Sequence, residues 1–203
     1  MPIHQLFPIP VDFSKLDRVL TPKELREINE HKKKTYKNEG NRTSNDSYIL
    51  ERKSLKNLKK DLNKKVTNYF NKIICSPNSL LPYITQSWIN YTEKNQFHHQ
   101  HSHSNSYVSG VFYIDANKKV DKIKFFKSGY SPFKLPPTQF NVFNSSTWWY
   151  PVESGDVILF PSSLEHGVDR KEGTNIRTSL SFNIFFKGTI GNSDDLTELI
   201  LKK

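Results

Sequence analysis

An α+β chain, with helices packed on one sheet of a two-sheet barrel, is what three features of the sequence predict. Helix-period apolar spacing dominates the first third, short alternating strands fill the rest, and aromatic residues concentrate after residue 80. The 203 residues suit one domain. It is expected to divide into a mainly helical part over 1–80, a strand-rich core over 81–190 and a tail over 191–203.

Thr21-Pro22-Lys23-Glu24 reads as a capping box with proline at the first helical position, which predicts a helix from Pro22 to about Lys33. The polar run Asn38 to Ser47 reads as a loop. A second helix is expected from about Ser54 to Ile74, because Leu55, Leu58, Leu62 and Val66 recur at helical spacing and Tyr69, Phe70 and Ile73 continue the stripe. Ser76-Pro77-Asn78-Ser79 should end it, with Cys75 as a buried thiol near the helix end. Strands are expected at about 83–91, 106–115, 121–127, 138–143, 147–151, 156–160 and 176–187. Ser131-Pro132 and Pro136-Pro137 mark either a mobile loop over a cavity mouth or a plain connector.

Composition narrows the function. A single cysteine excludes an internal disulfide framework and a thiolate metal cluster. No stretch approaches the roughly 18 to 20 apolar residues needed to span a bilayer, and the N-terminus lacks a signal-peptide pattern, so a soluble, cytoplasmic protein is expected. The net charge of +10 gathers early, in Lys32-Lys33-Lys34 and between Lys53 and Lys65. Nucleic-acid binding is open on that ground but not favoured: the lysines interleave with the apolar stripe as a solvated helix face would, and no recognition motif is visible.

Four of the seven histidines, His98, His99, His101 and His103, lie within six residues, and His166 follows the strand-like Gly155–Pro161. Residues at i and i+2 of an extended segment point to one side, so His101 and His103 can present two imidazoles to one metal ion, with His166 as the distant third ligand. His99 is a rival if the strand is already regular there. A solvated polar loop would show the same run. From Ile176 to Ile184 the chain alternates: Arg177, Ser179, Ser181 and Asn183 share one face and apolar residues dominate the other. Arginine's planar fork, with a serine hydroxyl two residues on, suits a carboxylate.

Gln86-Ser87-Trp88-Ile89-Asn90, His101-Ser102-His103 with Ser109-Gly110-Val111-Phe112-Tyr113, Gly155 to His166, and Arg177 to Asn183 together resemble the 2-oxoglutarate and Fe(II)-dependent oxygenases. Within them the chain is similar to a group common in cyanobacterial and marine phages and bacteria, which implies a bacterial or phage-infected host cell. The resemblance implies a double-stranded β-helix, or jelly roll, with Fe(II) on His101, His103 and His166. It further implies 2-oxoglutarate on the iron and on Arg177 and Ser179, with O2 as the oxidant, and oxidation of an unknown small molecule or peptide with release of succinate and CO2. Asn90, Tyr107 and Asn183 are candidate further contacts from their parity along the strands. One departure stands out: the superfamily's second ligand is usually a carboxylate, whereas this chain has His103, which leaves the iron centre with 2-oxoglutarate about neutral rather than near minus one. Two alternatives remain at this point. A cupin-like three-histidine metalloenzyme would use no 2-oxoglutarate, although the glutamate cupins carry after the pair is missing. A non-catalytic interaction module would rest on the basic helices.

Overall fold

The computed structural model describes residues 3–75, 79–129, 133 and 135–201. The chain opens with a short strand, β1 (Asp12–Lys15), and a helix, α1 (Pro22–Lys32). Thr21 caps α1 as expected: its hydroxyl accepts from the Glu24 backbone N–H, while the Glu24 carboxylate accepts from the Thr21 N–H at 2.7 Å. Glu24 is almost fully buried and also receives both Nη atoms of Arg18, at 2.8 and 2.7 Å. The run read as a loop instead holds part of a hairpin, β2 (Thr35–Lys37) and β3 (Arg42–Ser44). Its polar residues mislead because they face the cavity, and β3 is fixed by pairing with β4 (Leu81–Thr92) through Thr43 and Asn90. Between the hairpin and β4, a 3-10 turn at Lys53–Leu55, a helix α2 (Lys56–Tyr69) and a π turn at Phe70–Ile74 together cover the expected second helix. Cys75 is exposed, correcting its reading as a buried thiol, because it closes the helix in the left-handed region at φ 51°. Of the expected stop, residues 76–78 lie outside the described residues, as do Ser131 and Pro132.

The remaining strands are β5 (His98–His101), β6 (Val108–Asp115), β7 (Lys122–Phe126), β8 (Thr147–Pro151), β9 (Asp156–Pro161), β10 (His166–Val168), β11 (Arg177–Ile190) and β12 (Leu199–Leu201). No strand forms at 138–143; Asn141 instead folds that stretch into a turn, its side chain accepting from the Phe143 backbone N–H at 2.9 Å. The larger sheet runs β1-β9-β6-β11-β4-β3-β2 with β12 also on β11, and the smaller runs β5-β10-β7-β8. Every ladder is antiparallel.

Two cores follow from strand alternation. On the outer face of the larger sheet, Leu180, Phe182 and Ile184 of β11 pack with Leu55, Leu58, Leu62 and Val66 of the helical segment. Between the sheets, Val111 and Tyr113 of β6 and Ile158 and Phe160 of β9 pack on Ile123 and Phe125 of β7. The inner faces not filled by that second core enclose a cavity of about 430 Å³.

Candidate iron and 2-oxoglutarate site

The cavity is lined by β4, β6, β9 and β11 on one side and β5, β7 and β10 on the other. His101 ends β5 and His166 begins β10, and the two are directly opposed in register. His103 lies just beyond β5, where its backbone N–H donates to the Ser162 carbonyl at 3.0 Å and holds the segment beside β9. The three rings gather with centroids 4.4 to 5.1 Å apart. One nitrogen of each lies within 4.8 Å of the others.

Which nitrogen faces the centre follows from the hydrogen bonds. His101 Nδ1 donates to the His99 carbonyl at 2.8 Å, His166 Nδ1 to the Leu164 carbonyl at 3.1 Å, and His103 Nδ1 to Asn183 Oδ1 at 2.6 Å. Each Nε2 is left as an unprotonated lone pair, the tautomer a metal requires. His103 Nε2 is buried with no protein partner, a cost that metal coordination would remove. Burial first, and the neighbouring imidazoles next, push His166 down to about 3. Burial likewise lowers His101 to about 4, against the bond to His99. Near neutral pH these groups are neutral and ready to bind an ion without proton release. Trp88 stacks on His103 at 5.6 Å, and Phe160 meets His166 edge-on at 4.6 Å, which fixes two of the rings.

Arg177 starts β11 and is 3% exposed. Its Nη2 donates to Thr92 Oγ1 at 3.0 Å, while Nη1 is buried and unpartnered. Burial lowers its pKa, opposed by Tyr113 and Asp121. A buried guanidinium with one open arm fits an incoming carboxylate, since an unpaired buried charge is costly. Ser179, two residues along the same face, also lines the cavity. The donor set therefore fits both groups: three neutral imidazoles for an ion, and a cation with a hydroxyl for a dianion.

Asn90 and Asn183 line the cavity as well. Asn90 accepts from Thr43 Oγ1 and donates to Ser181 Oγ, both at 3.0 Å, so it ties three strands together. Tyr107 does not reach the cavity. It lies one residue before β6, beyond the turn at Asn105 with φ 56°, and its 45% exposed ring rests on Phe70 and Phe186. Parity counted back from β6 fails there because the strand has not yet begun. Tyr113, on the cavity face of the same strand and opposite Ser179, was not singled out. The alternation Ser109, Val111, Tyr113 could have pointed to it.

A model of the family described as "Putative 2OG-Fe(II) oxygenase" matches residues 86–183, a span that holds the three gathered histidines, Arg177 and Ser179. Over that span, just under half of its length, the chain is similar to the 2OG-Fe(II) oxygenases, a family whose chemistry uses Fe(II), 2-oxoglutarate and O2. No curated protein sequence matches it. Among solved structures it is similar to HygX from Streptomyces hygroscopicus with nickel, 2-oxoglutarate and hygromycin B bound, at 13% identity and TM-score 0.57, over 87% of this chain and 82% of that one. It is similar to a Burkholderia pseudomallei oxidoreductase of the 2OG-Fe(II) oxygenase family, at 16% identity and TM-score 0.55, over 80% and 78%. The viral collagen prolyl hydroxylase of Paramecium bursaria Chlorella virus-1 aligns at 10% identity and TM-score 0.52, over 86% and 94%. At these identities the likeness establishes the fold, a double-stranded β-helix. Among the described residues no helix is long and apolar enough to cross a membrane.

Proposed function

We propose that the protein hydroxylates an unactivated C–H bond of an organic substrate, with Fe(II) held by His101, His103 and His166 and 2-oxoglutarate anchored by Arg177 and Ser179. The observation that carries this reading is the pairing, in one cavity, of an orphaned His103 Nε2 with an orphaned Arg177 Nη1. A cupin-type metalloenzyme without 2-oxoglutarate would leave that buried cation without a purpose. HygX binds 2-oxoglutarate with a metal in the same fold, which supports the assignment by analogy.

The bound iron would supply O2 activation coupled to breakdown of 2-oxoglutarate into succinate and CO2. The chain's own residues do the rest. His99 and Leu164 carbonyls and Asn183 Oδ1 hold the three imidazoles by their Nδ1–H groups and keep each Nε2 free. Arg177 would neutralise one carboxylate of the cosubstrate, with Ser179 and the Tyr113 hydroxyl as further donors on facing strands. Tyr113 is buried, which pushes its pKa up and keeps it a protonated donor. Toward the opening, Asn38, Asn45, Ser47, Gln86, Ser102 and Ser104 line the cavity. Arg177 is the sole Asp, Glu, Lys or Arg among the described lining residues. The substrate portion that enters is therefore expected to be uncharged and hydrogen-bonding.

An anaerobic titration tests the reading. Addition of Fe(II) and then 2-oxoglutarate should produce the weak visible charge-transfer band of a chelated 2-oxo acid. A protein that binds Fe(II) stoichiometrically but shows neither the band nor 2-oxoglutarate binding would return the case to the cupin alternative.

A further inference from the structure

The ladder between β5 and β10 contains a bulge that no sequence pattern announces. His166 opposes His101 and Val168 opposes His98, so two steps on β10 span three steps on β5. A regular strand would send His98 and His101 to opposite faces, because an odd spacing reverses side-chain direction. The extra residue cancels that reversal, and bulges near functional sites re-aim side chains in this way. His98 consequently stacks on His101 at 4.6 Å and 27°, inside the cavity.

Two overlapping trios of histidines result, His101 with His103 and His166, and His98 with His99 and His101. They share His101, whose Nδ1 is committed to the His99 carbonyl, so one Nε2 must serve whichever ion binds. The first trio has all three Nδ1 atoms anchored and a buried, unpartnered Nε2 at its centre. In the second trio His99 Nδ1 is also buried without a hydrogen bond, 3.9 Å from the 70% exposed Glu39, and His98 has no ring hydrogen bond among the described residues, so neither ring is held by a bonded Nδ1 as those of the first trio are. The ion therefore belongs to the first trio, which leaves His98 inside the cavity with neither an ion nor a protein partner. His166 and Arg177 line the same cavity.

We propose that His98 is part of the 2-oxoglutarate subsite, an imidazole whose N–H donates to the dianion bound in the cavity that His98 and Arg177 both line. This rests on the 2-oxoglutarate reading above and adds to it a residue that the bulge alone brings inside.

The experiment uses the full chain loaded anaerobically with Mn(II), and calorimetry with 2-oxoglutarate as the probe. His98→Phe keeps a ring on His101 but removes the donor, and His98→Gln keeps an N–H donor without the ring. Both variants should bind one Mn(II) with wild-type affinity. The Phe variant should raise the Kd for 2-oxoglutarate about tenfold or more, and the Gln variant should stay within about threefold of wild type. Equal weakening in the two would assign the effect to packing on His101 and overturn the donor role. Loss of Mn(II) in either would place the ion on the second trio and overturn the proposal from the other side. Arg177→Ala, measured in parallel, separates the premises: an unchanged 2-oxoglutarate Kd there would sink the cosubstrate reading itself. A large loss in Arg177→Ala with none in His98→Phe would sink only the role given to His98.

Discussion

Each gathered imidazole depends on a partner that holds its Nδ1–H, and that dependence yields the sharpest tests. Truncation of His101, His103 or His166 to alanine should abolish stoichiometric Fe(II) binding while leaving the far-UV spectrum unchanged. Asn183→Ala leaves His103 in place but releases its 2.6 Å hydrogen bond, so metal affinity should fall by about 10 to 100-fold rather than vanish. Equilibrium dialysis distinguishes the two outcomes. Arg177→Ala should keep iron yet weaken 2-oxoglutarate by about 3 to 5 kcal/mol, as expected when one member of a desolvated ion pair is removed. Acid response follows from the same burial. In the folded, ion-free protein His98, His101 and His166 resist protonation until about pH 2 to 4, whereas the unfolded chain protonates them near 6.5. The unfolded state thus binds more protons as pH drops below 6.5, and stability falls with it. Tm of the ion-free protein should be insensitive to these groups above pH 6.5 and decline steadily from there to pH 5, before Glu24 and other carboxylates begin to titrate. A flat Tm across that interval would contradict neutral, buried histidines. Much of this was legible in the chain: the i, i+2 pair, the distant histidine and Arg-x-Ser were all readable from spacing. His98 and Tyr107 were not, because one sits at a bulge and the other ahead of its strand, and both events change parity without changing composition.

Among the secondary-structure elements, β6 and β11 must approach closely. A methyl group at Gly110 would lie 2.2 Å from the Phe182 ring, on the strand that β6 directly pairs. Gly110→Ala should therefore cost several kcal/mol, within the range for overpacked cores or beyond it. Phe182→Leu in the same chain should recover part of the loss, which denaturant melts of the single and double variants would reveal as non-additivity. The helices were the easiest elements to read, because a capping box and a leucine stripe act over a few residues. Thr21→Ala should cost about 1 kcal/mol by removing that cap. The strands that were missed, β1, β2, β3, β5, β10 and β12, are three or four residues long. Their existence depends on a partner distant in sequence, such as Asn90 for Thr43 or His101 for His166, and no local pattern encodes that.

Across the assembled barrel, His101 and His166 belong to the smaller sheet, while His103 is tied through Asn183 to the larger. An ion on all three would join the sheets. Divalent metal at about 100 times its Kd should raise stability by about 2.7 kcal/mol, and the rise in Tm should disappear in His103→Ala. A different consequence attends β11, which lies between β4 and β6 and pairs with both along most of their length. Among the described residues it is the last long strand in chain order. Until residue 190 has emerged, β4 and β6 each present an unsatisfied edge, the condition that invites wrong pairing and capture by chaperones. A released chain truncated at residue 176 should remain protease-sensitive, and one truncated at 190 should become resistant, so addition of the strand that carries Arg177 and closure of the barrel are the same event.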